Sequence, residues 1–266
     1  MARTDMDTQD LVLFSVDEDG IATLTLNRPD KYNAFTRDMV VRWLYLLEQA
    51  ALDDTVKVLV LTGAGKAFCS GGDVGAQKER ANNDSLERKH FLWRYVHRIA
   101  LFMEQLDKPV IAAINGTARG AGLDMALMCD LRLMARSARL AESYIHVGLI
   151  AGDGGAWYLP RLIGMPRALE LMWTGREVAA EEAERIGLVN RAVDDNKLMD
   201  EAYALAHSIA AQPFEAIRAY KRVAYQGATS TLTAHLDAVS SHMALLRDTP
   251  EHRARVDAFL QRKKKE

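Results

Sequence analysis

The chain has 266 residues, 49% of them hydrophobic and 26% charged, with a formal net charge of -2. That supplies one globular domain with an ample core and gives no general pull toward nucleic acid or a membrane surface. Two cysteines, Cys69 and Cys129, lie in apolar or glycine-rich surroundings, which argues against a disulfide framework and for a reduced, cytoplasmic protein.

No stretch approaches the roughly 20 apolar residues of a membrane span, and residues 1–10 lack the basic-then-apolar pattern of a secretory leader. Residues 11–16 and 21–26 alternate polar and apolar side chains around Asp17-Glu18-Asp19-Gly20, which predicts a hairpin. Thr36 is placed to cap a helix whose apolar positions Met39, Val40, Trp43, Leu44 and Leu47 recur at helical spacing.

A buried strand is predicted over residues 56–61, and the charged, apolar-poor stretch 77–90 reads as a mobile surface segment. Residues 91–106 form a predicted helix ended before Pro109, 110–114 a strand, 123–128 a helix, and 130–134 and 139–141 short strands. From Gly155 onward helices dominate, notably 179–186, 198–211, one starting at Pro213, 231–246 and 251–261, with 188–193 a lone strand. The repetition of strand, loop and helix predicts an α/β core over 1–195. Residues 196–266 are then a helical region that caps the core or reaches over a neighbouring subunit.

Two glycine-rich stretches follow the β-branched runs: Ala67-Phe68-Cys69-Ser70-Gly71-Gly72-Asp73 and Asn115-Gly116-Thr117-Ala118-Arg119-Gly120-Ala121-Gly122-Leu123-Asp124. Glycine lets the main chain turn tightly and lets a ligand approach its N–H groups. Two such loops can aim two donors at one oxygen, the geometry of an oxyanion hole.

With these loops in place the sequence resembles the crotonase superfamily, the enoyl-CoA hydratase/isomerase family. The matching stretches include Leu26-Asn27-Arg28-Pro29, Asn33-Ala34, Leu61-Thr62-Gly63, Lys108-Pro109-Val110, Met128-Cys129-Asp130, Gly148-Leu149-Ile150, Gly154-Gly155, Leu159-Pro160-Arg161 and Thr174-Gly175. They run in order over residues 11–225. The resemblance implies a crotonase-like spiral of ββα turns, a homotrimer or dimer of trimers, and an acyl-CoA thioester as ligand. No metal and no separate cofactor is implied, coenzyme A being part of the substrate. It further implies that the N–H groups of Gly72 and Ala121 hold the thioester oxygen. Ala67, Gly71, Asp73, Val74, Gly75 and Gly120 would border the substrate.

Hydratases of the family hold a water between two glutamates. Here the first falls on Asp124, still a carboxylate but shorter, and the second on Tyr144, whose ordinary pKa near 10 does not suit a base. A further carboxylate, Asp153, stands in Ala151-Gly152-Asp153-Gly154-Gly155; it caps the following helix or acts on substrate or water. Tyr144 is pocket wall or hydrogen-bond donor. Glu142 and His146 flank it, with packing or chemical roles open, and His90 and His97 read as surface or packing residues. Phe259 and Lys263 are candidate contacts to CoA across a subunit boundary. The resemblance thus implies an enolate-stabilising acyl-CoA enzyme. Hydration and isomerisation, thioester or carbon–carbon bond hydrolysis, and a non-catalytic acyl-CoA-binding relative remain open.

Overall fold

The opening hairpin forms from β1 (Val12–Val16) and β2 (Ile21–Leu26), antiparallel with Val12 opposite Leu26. Asp17 closes its turn by accepting from the N–H groups of Asp19 and Ile21. The computed structural model describes residues 10–73, 75 and 84–263. Thr36 Oγ1 accepts from the Met39 N–H and caps α1 (Arg37–Leu52), which buries Met39, Val40, Trp43 and Leu47.

The next strands are β3 (Val58–Gly63) and β4 (Ala67–Cys69). The stretch expected to be a mobile surface segment instead holds α2 (Ser85–Phe91), because Asp84 Oδ1 accepts from the Glu87 N–H as an N-cap. Its earlier part, residues 77–83, lies outside the described residues. A wide π-helical turn (Leu92–Val96) joins α2 to α3 (His97–Gln105). Then come β5 (Val110–Ile114), β6 (Thr117–Arg119), α4 (Ala121–Leu127), β7 (Leu131–Ala135) and β8 (Arg139–Ala141). They lead to α5 (Gly155–Ile163), α6 (Met165–Thr174), β9 (Val178–Ala179), α7 (Ala180–Arg185) and β10 (Arg191–Val193). The chain closes with α8 (Leu198–Ala210), α9 (Phe214–Gly227), α10 (Leu232–Arg247) and α11 (Pro250–Lys263).

One strand of each turn joins a six-stranded sheet, ordered β1-β2-β3-β5-β7-β10, and the next joins a four-stranded sheet, ordered β4-β6-β8-β9. Helices carry the chain back between them. This is the spiral of ββα turns that the sequence implied. The inner strands β3 and β5 are buried at every residue, which is why they read as unbroken apolar runs. The strand expected to stand alone at 188–193 is β10, paired parallel with β7. Buried Arg132 fastens its approach, donating from Nε to the Leu188 carbonyl at 2.9 Å.

Helix α8 packs on β2, β3, β5 and β7 through Leu198, Ala202 and Ala206. Helix α9 is pinned by Asp130, which takes Lys221 Nζ at 2.7 Å and the Tyr225 hydroxyl at 2.8 Å. Helices α10 and α11 bury no residue. Among the described residues no helix is long and apolar enough to cross a membrane.

Candidate active site

The first glycine loop is anchored from the sequence neighbourhood of Arg28. Buried Asn33 donates to the carbonyls of Ala64 and Ala67 at 2.9 and 2.8 Å and accepts the Arg28 N–H. Asp73 is engaged by its side chain: Oδ2 takes the Arg28 guanidinium at 3.0 Å and Oδ1 the Gly75 N–H at 2.9 Å. Val74 lies outside the described residues.

Gly71 adopts φ +97, and a Cβ there would meet Arg119 O at 3.0 Å and Ala121 N at 3.6 Å, so the two glycine loops touch main chain to main chain. Beside it, Phe35 donates to Gly71 O at 2.9 Å and accepts from the Asp73 N–H at 3.1 Å. In this parallel bridge the Gly72 N–H therefore points away from Phe35. In the second loop Gly120 N–H is spent on Ala141 O at 2.8 Å. Ala121 opens α4, so its N–H has no acceptor within the helix. Among the described residues neither N–H has a backbone acceptor, and two such donors on adjoining loops can hold one oxygen that gains negative charge.

Asp124 stands one helical turn beyond Ala121, roughly 4.5 Å along the axis, and is fully buried. Its Oδ2 accepts the Tyr144 hydroxyl and the Asp153 N–H, each at 3.0 Å. The same hydroxyl lies 3.0 Å from Asp153 Oδ2. Asp153 is thus no helix cap: Gly154 holds the N-cap position of α5 without a side-chain bond, and the Asp153 carboxyl turns inward. The three candidate residues are therefore one hydrogen-bonded unit.

A phenol carries a single proton and can donate to only one carboxylate at a time. The second carboxyl–phenol contact needs a proton of its own, so the unit retains one at a pH where isolated carboxyls have lost theirs. Asp153 is pushed up to about 6 by burial and by the Asp124 charge, with Tyr144 and His97 pulling the other way. Burial also raises Asp124, and it raises the Tyr144 phenol, helped by the charges of Asp124 and Asp153. The phenol stays protonated. Among the described residues Asp153 Oδ1 and Asp124 Oδ1 are both buried with no partner, so each carboxyl of this unit keeps one oxygen without a donor.

Two further residues join the cluster, one whose role the sequence left open between packing and chemistry and one that it placed at the surface or in packing. Glu142, at the end of β8, is 2% exposed and is pushed up to about 10 by burial and by the Asp124 charge. His97, read as a surface or packing residue, contacts the Gly152 carbonyl through Nε2 at 2.8 Å and so steadies the residue before Asp153. No local signal marks His97, because Gly152 lies 55 residues away. His146 falls outside the cluster, with Nε2 near Thr174 O at 3.3 Å. Cys69 is buried and its thiol is pushed up to about 12 by desolvation, which removes thiolate chemistry. Among the described residues no three His, Cys, Asp or Glu side chains are grouped to hold a metal.

The family model described as enoyl-CoA hydratase/isomerase matches residues 17–266. A 1,2-epoxyphenylacetyl-CoA isomerase of Escherichia coli is 36% identical over 91% of this chain and 93% of its own length. A Mycobacterium bovis protein named "Probable enoyl-CoA hydratase echA12" is 41% identical over 87% of this chain and 83% of its own. The crystal structure of an enoyl-CoA hydratase from Mycobacterium smegmatis superposes with a TM-score of 0.89 at 34% identity, covering 95% of this chain and 96% of that one. The chain therefore belongs to the enoyl-CoA hydratase/isomerase family of the crotonase superfamily, and it is an acyl-CoA-processing enzyme.

Proposed function

We propose that the enzyme moves a double bond along the acyl chain of an enoyl-CoA by proton transfer, with Asp153 as the base. The thioester oxygen sits on the N–H groups of Gly72 and Ala121. Asp153 Oδ1 takes a proton from the carbon beyond the double bond, and the electron pair passes to the thioester oxygen as a dienolate. The same carboxyl returns the proton at the other end of the dienolate, so the atoms balance with no water consumed. Removing one donor from such an oxyanion site typically costs about 3–4 kcal/mol of transition-state stabilisation.

The observation that carries this reading is the Tyr144 hydroxyl, 3.0 Å from both Asp124 Oδ2 and Asp153 Oδ2. Where a hydratase of the family presents its second glutamate to a water, this chain presents a neutral phenol already engaged by two carboxyls. Asp124 Oδ2 is itself filled by Tyr144 and the Asp153 N–H, and Asp153 Oδ2 meets the same phenol, so each carboxyl is tied to Tyr144 through one of its oxygens. The test is chromatography of paired 2-enoyl- and 3-enoyl-CoA substrates after incubation. Interconversion without 3-hydroxyacyl-CoA or free CoA is expected. A hydroxyacyl product would restore hydration, and thiol release would restore hydrolysis.

The substrate-bordering positions are assigned with this reading: Ala67, Gly71, Asp73, Val74, Gly75 and Gly120 along the CoA and acyl path, and no cofactor beyond the CoA of the substrate. The assembly is a homotrimer or dimer of trimers, supported by the exposed apolar residues Leu232, Leu236, Met243, Leu245 and Phe259 on α10 and α11. Phe259 and Lys263 would meet CoA across a subunit boundary. The compartment is the cytoplasm, in keeping with two free buried cysteines. Light scattering on the purified protein reads the assembly directly; a monomer would contradict it.

A further inference from the structure

One buried acid has no part in the proton transfer. Among the described residues neither carboxyl oxygen of Glu142 has a hydrogen-bond donor, and Asp124 Oδ1 is in the same condition. The two side chains converge on Gly155. A Cβ added there would lie 2.5 Å from Glu142 Oε1 and would overlap Asp124 Oδ1. The groups that act on Glu142 are Asp124 on α4 and Asp153 on the loop before α5, both acidic, with no lysine or arginine among them. Tyr144 is neutral, and His97 on α3 is engaged at Gly152.

Two facing carboxylates in a desolvated site with no cation repel strongly and leave three acceptor oxygens without a donor. A single proton between them removes the repulsion and joins two of the three oxygens in one hydrogen bond, leaving a single Glu142 oxygen without a donor. We propose that Glu142 is a positioning residue held as the un-ionised acid, donating its hydrogen bond to Asp124 Oδ1. Asp124 is then the one carboxylate of the pair, fixed at both oxygens. Oδ1 rests on Glu142, while Oδ2 stays on Tyr144 and the Asp153 N–H. Gly155 is required at its position because any side chain would push the pair apart.

The effect on rate rests on the isomerase reading above, whereas the protonation of Glu142 stands on packing alone, and the experiment separates the two. Infrared difference spectra of the whole protein at pH 8 are compared for the native chain, Glu142→Gln and Asp153→Asn, alongside turnover of these and of Glu142→Leu. The expected result is a protonated-carboxyl stretch present in the native chain and in Asp153→Asn and absent from Glu142→Gln. Glu142→Gln, which still offers an N–H donor, keeps turnover within about threefold, while Glu142→Leu loses about tenfold or more. A stretch that persists in Glu142→Gln, or a Gln variant as impaired as the Leu variant, overturns the assignment. A native chain that shows the stretch but no isomerase turnover overturns the reaction and supports the protonated Glu142.

Discussion

Removing the Tyr144 hydroxyl should move the acid limb of the pH–rate profile upward. In the native chain Asp153 titrates at about 6, so the base is about 90% ionised at pH 7 and about 10% at pH 5, a tenfold fall in kcat/KM. The hydroxyl bond at 3.0 Å lowers Asp153, against the burial and Asp124 charge that raise it. A hydrogen bond to a charged carboxylate is worth about 1.5–3 kcal/mol, and each pH unit corresponds to about 1.4 kcal/mol. Tyr144→Phe should therefore shift the limb up by about one to two units. It keeps the ring that packs against Gly120 and Gly152. The assay is kcat/KM from pH 5 to 9 for both proteins with one enoyl-CoA. A limb that stays in place, or moves down, would refute the hydrogen-bonded unit as the source of the Asp153 titration.

Asp153→Asn should lower kcat by about 10²–10⁴, the usual worth of a general base, while calorimetric binding of an acyl-CoA analogue stays intact. His97→Phe removes a 2.8 Å contact to the Gly152 carbonyl. At about 1 kcal/mol for a neutral hydrogen bond, kcat should fall about fivefold. The acid limb should rise with it, since His97 pulls Asp153 down; an unchanged limb would remove His97 from the cluster. Glu142→Gln should become relatively more stable than the native chain as pH rises. Glu142 is raised from 4.5 to about 10 on folding, so its contribution to stability is complete below 4.5 and is lost as pH climbs toward 10. Melting temperatures across that window check the sign, and a difference independent of pH would contradict it.

The parts of this molecule legible in its sequence are those fixed by main-chain geometry or by local periodicity. The two glycine loops could be placed because backbone donors depend on turn shape rather than on side chains. The β1–β2 hairpin and the Thr36-capped helix followed from alternation and capping within a few residues. What stayed hidden was assembled across turns of the spiral. Glu142 meets Asp124 from β8, and His97 reaches Gly152 from α3. Such meetings leave no spacing to read. Asp153 kept two readings because an aspartate before Gly154-Gly155 suits a cap equally well. Only the inward turn of its carboxyl onto Tyr144 separates them. The charged stretch before α3 hid α2 because its N-cap, Asp84, looks in sequence like one more solvated charge.

Isotope tracing of the acyl chain tests the central claim most directly. Enoyl-CoA is incubated with the enzyme in deuterium oxide and, separately, in heavy-oxygen water, and the recovered thioesters are analysed by mass spectrometry. The account predicts deuterium accumulating at the carbons flanking the double bond over repeated turnovers, abolished by Asp153→Asn, with no heavy oxygen in any product. Heavy oxygen in a hydroxyacyl-CoA or in a released acid, without deuterium exchange at those carbons, would contradict it.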